Sequence, residues 1–109
     1  MFDFATTLHQ GKRFFTYPIT LIVLSQPIED KQFVKAEFAV AKRIMKKAVH
    51  RNRAKRQMRA AYQNIARTIT FSTNVHLIFF YTEKTEIPFA DIESAMLQNI
   101  HNLQLIINN

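Results

Sequence analysis

Cysteine is absent from the 109 residues and glycine occurs once, at Gly11. Without cysteine, neither a disulfide framework nor a thiolate metal site can be built. A single glycine excludes a glycine-rich loop of the kind that cradles phosphates, and no linker or internal repeat divides the chain. No apolar run approaches the length of a bilayer span, and the first residues, MFDFATTLHQGKRFF, lack the basic-then-apolar layout of an export signal. We therefore expect a soluble, unexported, cytoplasmic protein. The most informative absence concerns one sign of charge. All eight carboxylates, Asp3, Glu29, Asp30, Glu37, Glu83, Glu86, Asp91 and Glu93, lie outside residues 38–82, which carry ten Lys and Arg.

What is present supports a folded domain. Hydrophobic residues make up 48% of the chain and Phe occurs ten times, enough apolar surface to offset chain entropy, so disorder is excluded and residues 1–109 read as one domain. The net charge of +7 favours a polyanionic partner. DFATTLHQG reads as a short helix stopped by Gly11, with Phe4 and Leu8 four residues apart. PITLIVLS is β-branched and apolar, an extra short strand is expected near Phe14 to Tyr17, and FVKAEFAVA alternates. That alternation places Val34, Ala36, Phe38 and Val40 on one face and Lys35 and Glu37 on the other. Helical spacing takes over from Ala48 to about Ile65. NVHLIFFYT then reads as a buried strand, and Phe89, Ile92, Met96, Ile100, Leu103 and Ile107 recur at helical spacing. The order predicts an α+β sandwich.

The central helix concentrates the charge: nine Lys and Arg fall between Lys42 and Arg59. Ala54, Met58, Ala61 and Ile65 form an apolar stripe with Tyr62 at its border, so Met58 and Tyr62 are core residues. Asn52, Arg53, Arg56, Arg59 and Gln63 face away from the stripe, and Arg51 and Lys55 flank it. Guanidinium matches phosphate oxygens in a bidentate geometry. An ordinary solvated face mixes signs and gains from acid–base pairs, whereas this segment has none of its own. An interfacial membrane helix would need a larger apolar wedge than this Ala-rich side offers. A leucine-zipper basic region would continue into heptads, and here the chain runs into β-like RTITFSTNVHLIFFY. Asn52, near the helix start, is expected to serve the local backbone as well as a nucleic acid.

The segment VAKRIMKKAVHRNRAKRQMRAAYQ resembles the signature of the bacterial ribonuclease P protein subunit, in which V-[SA]-K-K leads into an R-N-R-x-K-R helix followed by an Arg and an aromatic. Val40, Ala41, Lys42 and Arg43 match the first part, Arg51, Asn52, Arg53, Lys55 and Arg56 the second, and Arg59 and Tyr62 the last. Upstream, DFATTLHQGKRFFTYPITLIVL resembles the family's first helix end and Y-P-[LI] strand start, and VHLIFFYTEKTEIPFADIESAML its last strand and helix. The chain departs from the pattern at Met45, Lys46 and Lys47, where many members have a glycine and a shorter link, and at Leu8, which replaces a second aromatic. It also begins two residues before Asp3, where members usually carry several more.

The resemblance implies three helices on a four-stranded sheet, like the second domain of ribosomal protein S5, with a left-handed β-α-β crossover, the opposite of the general preference. It implies a protein that joins a catalytic RNA as one monomer per RNA and promotes endonucleolytic removal of the 5′ leader from precursor tRNA, with neither membrane nor DNA as partner. Mg²⁺ is then held mainly by the RNA, and this chain contributes no catalytic group, no metal ligand and no organic cofactor site. The implied RNA-binding residues are Lys42, Arg43, Lys46, Lys47, His50, Arg51, Asn52, Arg53, Lys55, Arg56 and Arg59, within a basic segment spanning residues 42–63. The implied leader-binding cleft uses Phe4, Leu8, Lys12, Arg13, Phe15, Tyr17 and Ile22. Independently of the resemblance, the residues show neither a carboxylate pair nor a nucleophile beside a base. His9, His50, His76 and His101 are too scattered to form a metal set. A ribosomal or RNA-chaperone protein with the same basic helix is the alternative.

Overall fold

A computed structural model describes residues 3–107, with the side chain of Ile107 outside the description. The elements are α1 (Phe4–Gln10), β1 (Lys12–Thr16), β2 (Ile19–Gln26), β3 (Val34–Val40), α2 (Ala48–Ala66), β4 (Asn74–Tyr81) and α3 (Phe89–Ile107). The strands form one sheet in the order β1-β2-β4-β3. β1 and β2 are antiparallel, as are β2 and β4, whereas β3 and β4 are parallel, because α2 carries the chain from one end of the sheet to the other. The result is a mixed-sheet α+β fold of three helices and four strands.

Alternation along the strands sorts their side chains onto two faces. Ile19, Leu21 and Val23 of β2 and Val75, Leu77, Phe79 and Tyr81 of β4 join Ala54, Met58, Ala61 and Ile65 of α2 and Ile92, Met96, Ile100 and Leu103 of α3 in the main core. Each fully buried aliphatic or Met side chain contributes about 1.5–3 kcal/mol by leaving water. The helical stripes expected on α2 and α3 are therefore the buried ones, except that Phe89, at the start of α3, is exposed, and Ile107 lies outside the described side chains. Ala36, Phe38 and Val40 of β3 face the same core, while Val34, at the strand's open beginning, is exposed.

The opposite face carries Thr20, Ile22, His76, Ile78 and Phe80, and here α1 packs. Asp3 caps α1 by accepting the Thr6 N–H at 2.7 Å, which holds its carboxyl below the ordinary value of 3.8. Phe4 lies against Phe80 with ring centroids 6.2 Å apart. Gly11 closes α1 against β2 at close range. A Cβ there would stand 2.6 Å from the Thr7 carbonyl oxygen, 2.8 Å from Ile22 Cγ2 and 2.8 Å from the Val23 carbonyl oxygen. Its φ of −70° suits any residue, so the sole glycine is required by space alone. Because two of those neighbours are backbone atoms that cannot rotate away, Gly11→Ala is expected to lower stability by about 1–3 kcal/mol. Urea unfolding monitored by circular dichroism measures it.

Candidate nucleic-acid interface

The basic segment has two parts, the turn 41–47 and the outer face of α2. The turn is closed by the amides of Ile44 and Met45 donating to the Ala41 carbonyl at 3.0 and 3.2 Å, and Met45 anchors it in the core. Arg51 reaches back from the first turn of α2, its Nη1 donating to the carbonyls of Met45 at 2.9 Å and Lys46 at 2.8 Å. The local-backbone role expected of Asn52 thus falls to Arg51. α2 begins at Ala48, so Asn52 sits in its second turn with an exposed side chain. Lys47 occupies the helix N-cap without a side-chain capping bond, and no acid stands in the first turn to complement the helix dipole.

The buried stripe of α2 directs its cations outward. Asn52, Arg53, Arg56, Arg59 and Gln63 are exposed, Arg51 and Lys55 are half-buried, and Lys42, Arg43, Lys46, Lys47 and His50 are exposed. Two of the arginines have partners from distant parts of the chain. Arg53 pairs with Glu86 at 3.1 Å, and the Arg59 guanidinium lies 5.5 Å from the centroid of the Phe38 ring. That ring stacks on Phe79 and meets Tyr62 edge-on, and burial pushes the Tyr62 phenol up. The segment's lack of its own acids is therefore partly offset across the fold. Among the described residues, the side chains of Lys42, Arg43, Lys46, Lys47, Lys55 and Arg56 have neither an ion pair nor a hydrogen bond.

Beside this surface, on the α1 face of the sheet, lies an open cleft of about 540 Å³ lined by Leu8, His9, Arg13, Thr20, Ala41, Arg43, Ile44, Phe80, Tyr81 and Thr82. Arg43 belongs to both regions, so the cleft continues into the basic segment. Leu8 and Arg13 line this cleft, and Arg13 also donates to the Leu8 carbonyl at 3.2 Å and so closes the end of α1. Phe15 is 61% exposed and shares the cleft face, and Phe4 borders it through Phe80. Tyr17 is exposed, with its hydroxyl donating to Glu83; that bond raises the phenol's pKa and lowers the carboxyl's.

Three expected cleft residues lie elsewhere, the first being Tyr17, which borders a separate groove with Thr16, Pro18, Ile87 and Asp91. Ile22 is fully buried beneath α1 and Gly11 and offers no surface. Lys12 alternates to the other side of β1 from Arg13 and borders a groove with Gln10 and Leu103. The residues missed, His9, Thr20, Ile44 and Phe80, had no signal in spacing alone. β4 is apolar on both sides, so nothing in its sequence marks Phe80 as the side chain that reaches an open surface. No group of three or more His, Cys, Asp or Glu placed to hold a metal ion occurs among the described residues. No helix among them is long and apolar enough to cross a membrane.

Comparison with known proteins agrees with this architecture. The ribonuclease P family model matches residues 2–104. The Staphylococcus aureus RNase P protein superposes with a TM-score of 0.74 at 15% identity, covering 98% of this chain and 92% of that one. The Thermotoga maritima RNase P protein in complex with 1-(4-fluorophenyl)-2-thiourea gives 0.72 at 16% identity, covering 88% and 89%. A Staphylococcus aureus RNase P protein mutant with defective mRNA degradation activity gives 0.73 at 14% identity, covering 94% and 82%. A search of curated protein sequences found no match. With a family match over almost its whole length and the same fold as these proteins, the chain belongs to the ribonuclease P protein family.

Proposed function

We propose that the turn 41–47 and the outer face of α2 bind the catalytic RNA of ribonuclease P, and that the adjoining cleft holds the single-stranded 5′ leader of precursor tRNA. Membership of the family makes the chain a subunit of the tRNA-processing ribonucleoprotein and gives it an RNA partner. The observation that carries the finer reading is the cationic surface itself. Six of its side chains, those of Lys42, Arg43, Lys46, Lys47, Lys55 and Arg56, have no hydrogen bond or ion pair among the described residues, and through Arg43 the surface runs into an apolar cleft.

Chemistry separates the two regions. A uniformly positive helix face engages phosphates without reading sequence. The cleft offers Phe80, Leu8 and Ile44 as apolar surface for unpaired bases, exposed Phe15 at its edge for stacking, and Arg13 and Arg43 for the leader backbone. The role we assign to the chain is to bind and align both RNAs. Mg²⁺ held by the catalytic RNA would activate the attacking water and stabilise the leaving oxygen. One protein monomer per RNA suffices, and the cytoplasm, where tRNA precursors are made, is the expected location.

Cleavage of a 5′-extended precursor tRNA by a bacterial ribonuclease P RNA at low Mg²⁺, with and without the protein, tests this reading. Cleavage at the mature 5′ end should depend on the protein and weaken for Lys47→Ala, Arg56→Ala. If about six phosphates are neutralised, affinity for the catalytic RNA should fall with salt at a log–log slope of about −4 to −5, made shallower by about 1.5–2 in that variant. Tight RNA binding without stimulated cleavage would favour a general RNA-binding protein. A second expectation follows from the pair Arg53 and Glu86, each about half exposed. A phosphate must displace Glu86 to engage Arg53, and exposed pairs are worth about 0–1 kcal/mol, so Glu86→Gln should tighten RNA binding by up to about fivefold. Filter binding at moderate salt measures this change.

A further inference from the structure

α1 is seven residues long, too short to be stable by itself, and its one fully buried side chain is a threonine. Thr7 Oγ1 lies 2.6 Å from His76 Nδ1, and His76 Nε2 lies 2.5 Å from Glu37 Oε2. His76 is completely buried in the middle of β4, while Glu37 stands on β3 at one-third exposure with Lys35 3.8 Å away. The row therefore joins three elements, α1, the central strand and an edge strand.

One hydrogen position follows from the groups present. A carboxylate only accepts, so Nε2 carries a ring hydrogen toward Glu37. Nδ1 and the Thr7 hydroxyl share the second bond, which forms with either as donor because a hydroxyl both donates and accepts. The order threonine, histidine, carboxylate is also that of a nucleophile with its base and orienting acid. Thr7 and His76 are both fully buried, however, and no substrate atom can reach the hydroxyl.

We propose that this row is a polar clasp that fixes α1 on the sheet, with His76 as a positioning residue for the precursor's leader. Leu8 and His9, the residues next to Thr7, line the cleft opposite Thr20 and Phe80, so the seat of α1 sets the width of the cleft. Apolar side chains in that place would fill the space yet tolerate sliding. A directed hydroxyl-to-imidazole bond, buried where an unpaired partner is costly, admits one distance and one orientation. Close packing at Gly11 and the Arg13 bond to the Leu8 carbonyl fix the far end of the helix, leaving the clasp to fix its middle.

The proposal rests on the leader-in-cleft reading, and its test separates the two. Thr7→Val keeps the shape and removes the hydroxyl; Thr7→Ser keeps the hydroxyl. In the full-length free protein, hydrogen exchange of the α1 amides from Leu8 to Gly11 should accelerate about fivefold to tenfold in Thr7→Val and stay near wild type in Thr7→Ser, with β2 and β4 amides unchanged. In the reconstituted ribonucleoprotein, KM for a precursor with a leader of several nucleotides should rise about threefold to tenfold in Thr7→Val, with kcat and the KM for a one-nucleotide leader unchanged. Should Thr7→Val fail to fold, Glu37→Gln, at the accessible end, is expected to give the same two changes more weakly. Unchanged α1 exchange would overturn the clasp. Loosened α1 with an unaltered long-leader KM would overturn its positioning role, and a wild-type protein indifferent to leader length would overturn the cleft reading itself.

Discussion

The structure depends on one strand being buried on both faces. β4 occupies the interior of the sheet between β2 and β3, and its side chains alternate between two tasks. Val75, Leu77, Phe79 and Tyr81 face α2 and α3 and close the main core. Ile78 and His76 are buried on the other side, where α1 docks, and Phe80 meets Phe4 and the cleft. Because β3 runs parallel to β4, the chain must cross over between them, and α2 is that crossover. The basic helix is thus held by the packing that also shapes the floor of the cleft.

That coupling explains how a short domain keeps an unbalanced charge. A helix with Ala54, Met58, Ala61 and Ile65 seated on a sheet cannot rotate to hide its arginines, so its cations stay at the surface despite their mutual repulsion. The fold relieves part of that repulsion from outside the helix. Glu86 in the segment before α3 pairs with Arg53, and the Phe38 ring of β3 lies beneath Arg59. Arg51 turns inward to the backbone of 45–46 and holds the turn that carries Lys46 and Lys47. The arginines of the R-N-R-x-K-R run therefore differ in kind: Arg51 builds the surface, Arg53 is paired with an acid from another segment, and Arg56 points into solvent without a partner among the described residues.

Much of this was legible in the sequence because it rests on periodicity. The stripe of α2, the alternation of β3, and Ile92, Met96, Ile100 and Leu103 of α3 each follow from one side facing a core and the other facing water. The cleft was harder to read because it is made by contacts between segments far apart in the chain. Ile22 and Phe80 lie on the same face of adjacent strands, yet α1 and Gly11 bury the first and leave the second half open. Lys12 and Arg13 are neighbours in sequence on opposite sides of an edge strand that begins two residues before the expected Phe14, so their alternation fell outside the strand as read. His76 reads simply as a strand residue. Its partners Thr7 and Glu37 are 69 and 39 positions away, beyond any local pattern.

The central claim is that two adjoining surfaces hold two different RNAs, and site-specific photo-crosslinking tests it most directly. A photoreactive side chain at Lys46 or Arg56 in the assembled ribonucleoprotein should attach to the catalytic RNA, and one at Thr20 or Phe15 to the precursor's 5′ leader, with attachment sites read by primer extension. Attachment of the cleft probes to the catalytic RNA alone, or of the α2 probes to the leader, would contradict the account.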